Sequence, residues 1–430
     1  MIGKLKRFIH SPDKKTLLKN FFSLSVLQGL NLVLPLLTYP YLIRVLGVDN
    51  LGLLFFATAL ITYFQVLTDY SFNMTATKDI AVNIDDKQKL QEIFNDVFSS
   101  KMFLLGLSFI ILCVLLLFVP YFQKNRLIYL LTFGNIIGLS LFPVWFFQGI
   151  QKMKYITYIN FFSKIVFTAA IFVFVKKSED VWMAPLFTAL GYITAGILSL
   201  FYLIKDFKIR IQRQSFIRVK EQIIMGRYLF LSELKITLFT NTNVILLGFI
   251  AGNAAVGYFS SAEKLVRAAG NFYTPFTLAL FPYMSKEMHN DTIGAYRSVV
   301  KISKAGTLLF LVFLVPAYIF SEEIITLVYG NEMQNSVLIF RILLFIPIAS
   351  FLDNMFGKQI LLNLGKDKYY FNVILAATVC NIILNVFLTY YYSYKGTAVS
   401  LVVTQLIIDV GMYYYARREI NRYKLTIQDA

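Results

Sequence analysis

The chain has 430 residues, 57% hydrophobic and only 15% charged, against about 45–50% apolar and about 25% charged in soluble domains. It carries too little charge to face water on all sides and reads as an integral membrane protein. Its 41 Lys and Arg against 24 Asp and Glu leave a net charge of +17, an excess that suits nucleic acid, anionic lipid or an anionic substrate.

In chain order, the opening MIGKLKRFIHSPDKK has the charge of a signal-peptide leader. The apolar run behind it is too long for such a leader and lacks a small-residue cleavage site, so it reads as a retained first helix. Runs near twenty apolar residues, enough to cross about 30 Å of hydrocarbon, then organise the whole chain. Twelve are predicted, at roughly 17–43, 51–68, 102–120, 127–148, 155–175, 181–204, 227–250, 254–284, 305–321, 335–357, 369–391 and 396–416. The third, MFLLGLSFIILCVLLLFVP, is the plainest.

With the N-terminus inside, 29 of the 41 Lys and Arg fall in inside segments and 6 in outside ones. The positive-inside bias therefore places both termini in the cytoplasm. The outside loops are short, the longest lying near Ser321–Gln334, and leave no room for an outside catalytic domain. Cys113 and Cys380 sit in apolar runs and His10 and His289 lie far apart, so neither a disulfide framework nor HExxH zinc chemistry is expected. There is no Gly-x4-Gly-Lys-Ser/Thr phosphate loop either, and no cofactor is expected.

The most basic loop, residues 205–227, divides the chain into a lobe of helices 1–6 (1–210) and a lobe of helices 7–12 (211–430). Six is even, so both halves start on the same face, a parallel rather than inverted repeat. In each half the inside loop after the second helix carries an amphipathic stretch: Leu90, Ile93, Phe94, Val97 and Phe98, then Ile293, Tyr296, Val299 and Val300. That spacing suits a helix lying on the cytoplasmic leaflet, in contact with anionic phospholipids. The expected fold is an all-α membrane protein, two six-helix lobes around a central cleft.

Charges deep in a bilayer cost roughly 2.5–3.5 kcal/mol each on insertion scales and are functional candidates. Lys164 and Lys235 lie about 12–14 Å from the inside face, and Lys264 and Arg267 about 15–20 Å from the outside end of helix eight. These four are candidates for a cationic cavity holding an anion, joined by Gln28 and Asn31 on one face of helix one, ahead of Pro35 and Pro40. Pairing between charges is the competing reading: Glu263 and Arg267 stand at i, i+4. Arg341 and Lys358, near the ends of helix ten, can reach water by snorkelling. Arg44, Asp69, Glu263, Asp353 and Asp409 are candidates for gating or ion coupling. Asn241, Asn243, Asn381 and Asn385 fit hydrogen bonding between helices.

Four segments carry a resemblance. YPYLIRVLGVDNLGLL (39–54), TDYSFNMTATKDIAVN (68–83), WFFQGIQKMKYIT (145–157), and LLGFIAGNAAVGYFSSAEKLVRA (246–268) with PFTLALFPYMSK (275–286) occur in order along both halves. They are similar to segments of the polysaccharide transporters of the MATE-like flippase superfamily, most of all the Wzx-type flippases of O-antigen and capsule repeat units. Ser71 is a departure, standing where the family pattern leads one to expect Gly. The resemblance implies a MATE-like fold in the bacterial inner membrane and a substrate that is an undecaprenyl-diphosphate-linked oligosaccharide. It also implies partners in the polymerase and chain-length proteins of the same pathway.

Three other readings are weighed against this one. An exporter of small amphipathic cations should favour acids in its cavity, whereas this chain has a cationic surplus there. A polysaccharide polymerase or ligase needs a large outside loop with catalytic Arg or His, so no enzymatic activity is expected. Nucleic-acid binding is excluded because the basic residues are scattered over many short loops.

Overall fold

A computed structural model describes residues 12–270 and 273–428, and the regular elements in them are all helical. In chain order these are α1 (Pro12–Asp69), α2 (Phe72–Val82), α3 (Lys87–Phe118), α4 (Pro120–Gln123), α5 (Arg126–Leu141), α6 (Val144–Gly149) and α7 (Lys154–Phe174). A short 3-10 turn, Ser178–Trp182, leads to α8 (Met183–Phe207) and α9 (Phe216–Gly270). Then come α10 (Thr274–Asn290), α11 (Thr292–Ile319), α12 (Ser321–Tyr329), α13 (Asn335–Leu343), α14 (Ile346–Asp353) with a π-helical continuation Asn354–Leu362, and α15 (Asp367–Gln428).

Nine helical stretches among the described residues are long and apolar enough to cross a membrane. Three of them are each broken at a single residue: α1 at Gly47 (φ 81°), α9 at Gly252 (φ 83°) and α15 at Ser393 (φ 52°). A positive φ ends helical progress and is cheap only for glycine. Each break makes two arms of one helix, so the nine stretches furnish twelve crossings, matching the twelve apolar runs. In α15 the arms fold back on each other. Asn381 Nδ2 donates to Thr404 Oγ1 (2.9 Å) and the Thr389 and Thr397 hydroxyls meet at 2.8 Å, pairs centred on Ser393.

The chain forms two compact units. The first holds the described residues up to Gly47 together with Phe56–Asn241; the second holds Val48–Phe55 and the chain from Thr242 onward. The first arm of α9 thus belongs to the first unit as far as Asn241.

The core of the first unit explains two of its sequence motifs. Trp145, Phe146 and Phe147 are buried with Phe72, Ile80 and Phe94, and Phe94 stacks on Trp145 at 5.6 Å. A Cβ on Gly149 would collide with the side chain of Ile80, so the Trp-Phe-Phe-Gln-Gly run closes α6 tightly onto α2. Ser71 lies in the left-handed region (φ 61°), which is why Gly was the expected residue there.

The two amphipathic stretches are not separate surface helices. They form the first turns of α3 and α11, continuous with the crossings that follow. Leu90, Phe94 and Val97 are buried in the core just described, and Ala295 and Val299 are buried in the second unit. Protein covers the first face, so its spacing reports packing, whereas the second is covered at Val299 but only half-buried at Ile293, Tyr296 and Val300. The expected long outside loop is also largely helical: it forms α12, whose Tyr329 hydroxyl donates to the Ser261 carbonyl (3.0 Å).

The basic segment between the halves is strapped down. Gln91, Asn95 and Ser99, one turn apart on α3, accept the backbone N–H groups of Arg210 (2.7 Å), Gln212 (3.0 Å) and Gln214 (3.2 Å). Alternate residues of an extended strand rise about 6.6 Å and successive helical turns about 5.4 Å, close enough for three consecutive bonds. Arg218 then reaches Glu92 (2.6 Å) and Asp96 (3.3 Å).

Candidate functional site

The first unit contains a cavity of about 340 Å³ built from α1, α7 and α8. Small residues set its walls. Gly134 and Gly138, four apart on α5, meet α8 so closely that a Cβ would strike Ala189 and the backbone of Tyr192. Such small-xxx-small contacts let helix backbones approach, and this one fixes where the Tyr192 ring projects. On α1, Pro35 and Pro40 remove two backbone donors. Tyr41 Oη donates to the carbonyls of Phe172 (3.1 Å) and Val175 (2.5 Å), which ties α1 to the end of α7.

Inside this frame Lys164 Nζ donates to Asn31 Oδ1 (2.7 Å) and lies 5.1 Å from the centre of the Tyr192 ring. Thr38, Tyr39, Thr168 and Thr188 add hydroxyls, while Leu30, Phe167 and Ile171 supply apolar wall. Among the described residues no acidic one lines the cavity. Asn31 presents a neutral carbonyl oxygen to Lys164, so the ammonium has donors to spare for an anion. Aromatic and threonine neighbours suit a polar, hydroxyl-rich molecule beside that anion.

The structure places the other candidates as follows. Gln28 is exposed on α1 and does not line the cavity; Lys235 is exposed on the first arm of α9. Arg44 is exposed three residues before the Gly47 break. Asp69 accepts from Lys101 Nζ at 2.8 Å, and Lys101 is 1% exposed. A residue counted among the topology-setting charges is therefore half of a buried ion pair. In the second unit Arg267 pairs with Glu263 (2.8 Å), as the i, i+4 spacing suggested, and Lys264 Nζ lies 4.9 Å from the centre of the Phe55 ring. Asp353 Oδ2 accepts from Gln405 Nε2 at 2.7 Å, whereas Asp409 Oδ1 is buried without a hydrogen-bond partner among the described residues. Asn385 Nδ2 donates to Asn243 Oδ1 (2.8 Å), the interhelical bonding expected, while its Oδ1 accepts from Thr389 (2.6 Å) within α15 and Asn241 Nδ2 donates to Thr240 Oγ1 (3.1 Å) within α9. Arg341 Nε donates to Ser321 Oγ at 2.5 Å.

The sequence reading missed Tyr192, Thr38, Thr168 and Thr188. A signal was there: Asn31, Pro35 and Thr38, Lys164 and Thr168, and Thr188 and Tyr192 each recur at three- or four-residue spacing. Each of those faces gains meaning only beside the other two.

Comparison with known proteins places this architecture. A family model described as polysaccharide biosynthesis protein matches residues 17–288. A protein of Escherichia coli (strain K12) named "Putative O-antigen transporter" is 30% identical over 410 residues, covering 95% of this chain and 98% of its own length. A protein of the same name from Shigella dysenteriae is 27% identical, covering 92% of this chain and 98% of its own. Among solved structures, an inward-facing multidrug resistance MATE family transporter matches at a TM-score of 0.69 and 14% identity, over 92% of this chain and 96% of that one. The lipid II flippase MurJ in an inward closed conformation matches at 0.67 and 14%, over 91% and 87%. At those identities the two structures establish the fold alone.

Proposed function

The chain belongs to the polysaccharide biosynthesis protein family, and from that premise we propose that it is a flippase for a lipid-linked oligosaccharide. Its substrate is an undecaprenyl-diphosphate-linked repeat unit of an O-antigen or similar surface polysaccharide, moved from the cytoplasmic to the outer leaflet of the bacterial inner membrane. One observation carries the reading: an unneutralised lysine, Lys164, in a hydroxyl-lined cavity of a membrane-embedded unit. A diphosphate cannot cross hydrocarbon without replacement of its hydration, and a cation held in low dielectric supplies that replacement.

Both termini lie in the cytoplasm on this reading, following the distribution of Lys and Arg. The protein works by alternating access, with the saccharide and diphosphate passing through the interior and the polyprenyl tail remaining in lipid. Lys235, Lys264 and Arg267 are further anion contacts along the path. Asp69, Glu263, Asp353 and Asp409 are the carboxylates available for gating or coupling. The polymerase and chain-length proteins of the pathway receive the flipped unit. An exporter of small organic cations would need an acid where this cavity has Lys164.

The test is a strain lacking the gene, complemented with wild type or Lys164→Gln. Loss of the gene should abolish the surface polysaccharide and leave the lipid-linked unit in the cytoplasmic leaflet. Wild type should restore export, and Lys164→Gln, present in the membrane at wild-type level, should not. A null strain that exports the polysaccharide normally but becomes sensitive to cationic drugs would overturn the reading in favour of drug export.

A further inference from the structure

In the second unit, one face of α11 carries Arg297, Lys301 and Lys304 around a pocket with Tyr296 and Val300. A cavity of about 460 Å³ shares Tyr296, Val300 and Lys304 with that pocket and continues to Leu308 and Leu311. The two make one groove, cationic where α11 begins and apolar further in, walled by Leu352, Phe356 and Tyr413. Positions 297, 301, 304, 308 and 311 follow one another at three- or four-residue steps, so a single helical face supplies both ends. Their axial extent is about 21 Å, about half of it cationic, from Arg297 to Lys304, and half apolar, from Lys304 to Leu311.

Two features mark the groove as built for a ligand. None of its three cations forms an ion pair among the described residues. Ser303, which lines the groove, is 3% exposed, yet its buried Oγ has no hydrogen-bond partner. Lying beside Lys304, this hydroxyl is available to donate to a ligand that enters the groove.

We propose that this groove is a binding site for an anionic glycerophospholipid of the leaflet at which α11 begins. Arg297, Lys301 and Lys304 take the phosphate, Ser303 Oγ donates to a phosphate or ester oxygen, and an acyl chain runs along Leu308, Leu311 and Phe356. Basic pockets between membrane helices recognise anionic headgroups in this way. A polyprenyl carrier fits less well, because the apolar part of the groove extends only about 10 Å along the helix and a chain of many isoprene units would overrun it much further than an acyl chain. The site is separate from the Lys164 cavity, so the proposal stands apart from the flippase reading.

The test is native mass spectrometry of the delipidated full-length protein with phosphatidylglycerol or phosphatidylethanolamine of identical chains, and with undecaprenyl phosphate. Phosphatidylglycerol should be retained at least tenfold better than phosphatidylethanolamine, because its net negative headgroup meets three cations that a zwitterionic headgroup only partly engages. The triple change Arg297→Gln, Lys301→Gln, Lys304→Gln should abolish that preference. Leu311→Trp, at an exposed position that folding tolerates, should reduce retention of both phospholipids by filling the groove. Equal retention of the two phospholipids, or a preference surviving the triple change, overturns the proposal. Retention of undecaprenyl phosphate in place of phosphatidylglycerol also overturns it, and assigns the groove to the polyprenyl carrier.

Discussion

Gly52 and Gly257 make reciprocal contacts. A Cβ on Gly52 would collide with the carbonyl oxygen of Asn253, and one on Gly257 with the carbonyl oxygen of Val48. Asn253 and Val48 each directly follow a glycine in positive φ, Gly252 and Gly47. Both halves of the chain therefore contain Gly-x4-Gly, the first glycine breaking the helix and the second receiving the backbone of the other copy.

The contact predicts a sharp contrast between alanine substitutions. Gly52→Ala and Gly257→Ala place a methyl group against backbone that cannot swing aside, and overpacking of this kind costs about 1–3 kcal/mol. Gly106→Ala meets nothing within 4 Å on α3 and should be neutral or gain up to about 1 kcal/mol in helix propensity. Thermal unfolding of the purified variants in detergent checks this; a Gly257→Ala protein as stable as Gly106→Ala would refute it.

Asn31→Asp tests the charge of the Lys164 cavity without removing the lysine. The new carboxylate would stand where Asn31 Oδ1 now accepts from Lys164 and would consume the positive charge. Charge-assisted hydrogen bonds contribute about 1.5–3 kcal/mol each, so export should fall by roughly ten- to hundredfold at unchanged membrane levels. Conservative Asn31→Gln should retain most of the activity. Quantitative surface-glycan staining against protein level separates the two.

The Glu263–Arg267 pair calls for a double change. Arg267→Ala alone strands a carboxylate within the membrane and should lower expression. Glu263→Gln with Arg267→Ala removes both charges and should recover the level, because Glu263 is largely covered while Arg267 is half exposed, so the cost of the single change falls on the carboxylate left without its partner. If export returns along with expression in the double variant, Arg267 has no part in holding the anion.

Lys101 and Asp69 should follow the same logic more steeply, since Lys101 is fully buried. Lys101→Met should destabilise the protein strongly, by about 3–5 kcal/mol. Adding Asp69→Asn should recover much of that loss. Unfolding midpoints of the three variants measure the coupling, and additive losses would show that the two residues act independently.

Ser71→Gly should stabilise the protein. Ser71 holds φ 61° with its hydroxyl buried and unpaired, and an L-residue in that region costs roughly 1–2 kcal/mol. The gain, less about 0.5–1 kcal/mol for the extra freedom of glycine in the unfolded chain, should appear as a modestly higher melting temperature. A lower one would mean that the serine hydroxyl has a role that the folded packing does not display.

The sequence by itself determined the membrane class, the twelve crossings, the i, i+4 pairing of Glu263 with Arg267 and the family. All of these rest on composition, run length, local spacing or ordered motifs, which need no knowledge of which helices touch. It also singled out Lys164 and Asn31, because polar groups in an apolar run are costly wherever the run packs. Only the tertiary structure decided that those two meet, that Tyr192 closes over them, and that Lys101 is buried on Asp69 while Gln28 and Lys235 lie outside the cavity. Asn31 and Lys164 are 133 residues apart, and helical periodicity fixes a residue's angle about its own axis but not which axis lies opposite. The same limit explains Leu90, Phe94 and Val97. An apolar helical face announces that it will be covered, and whether by lipid or by protein depends on α2 and α6 folding onto it.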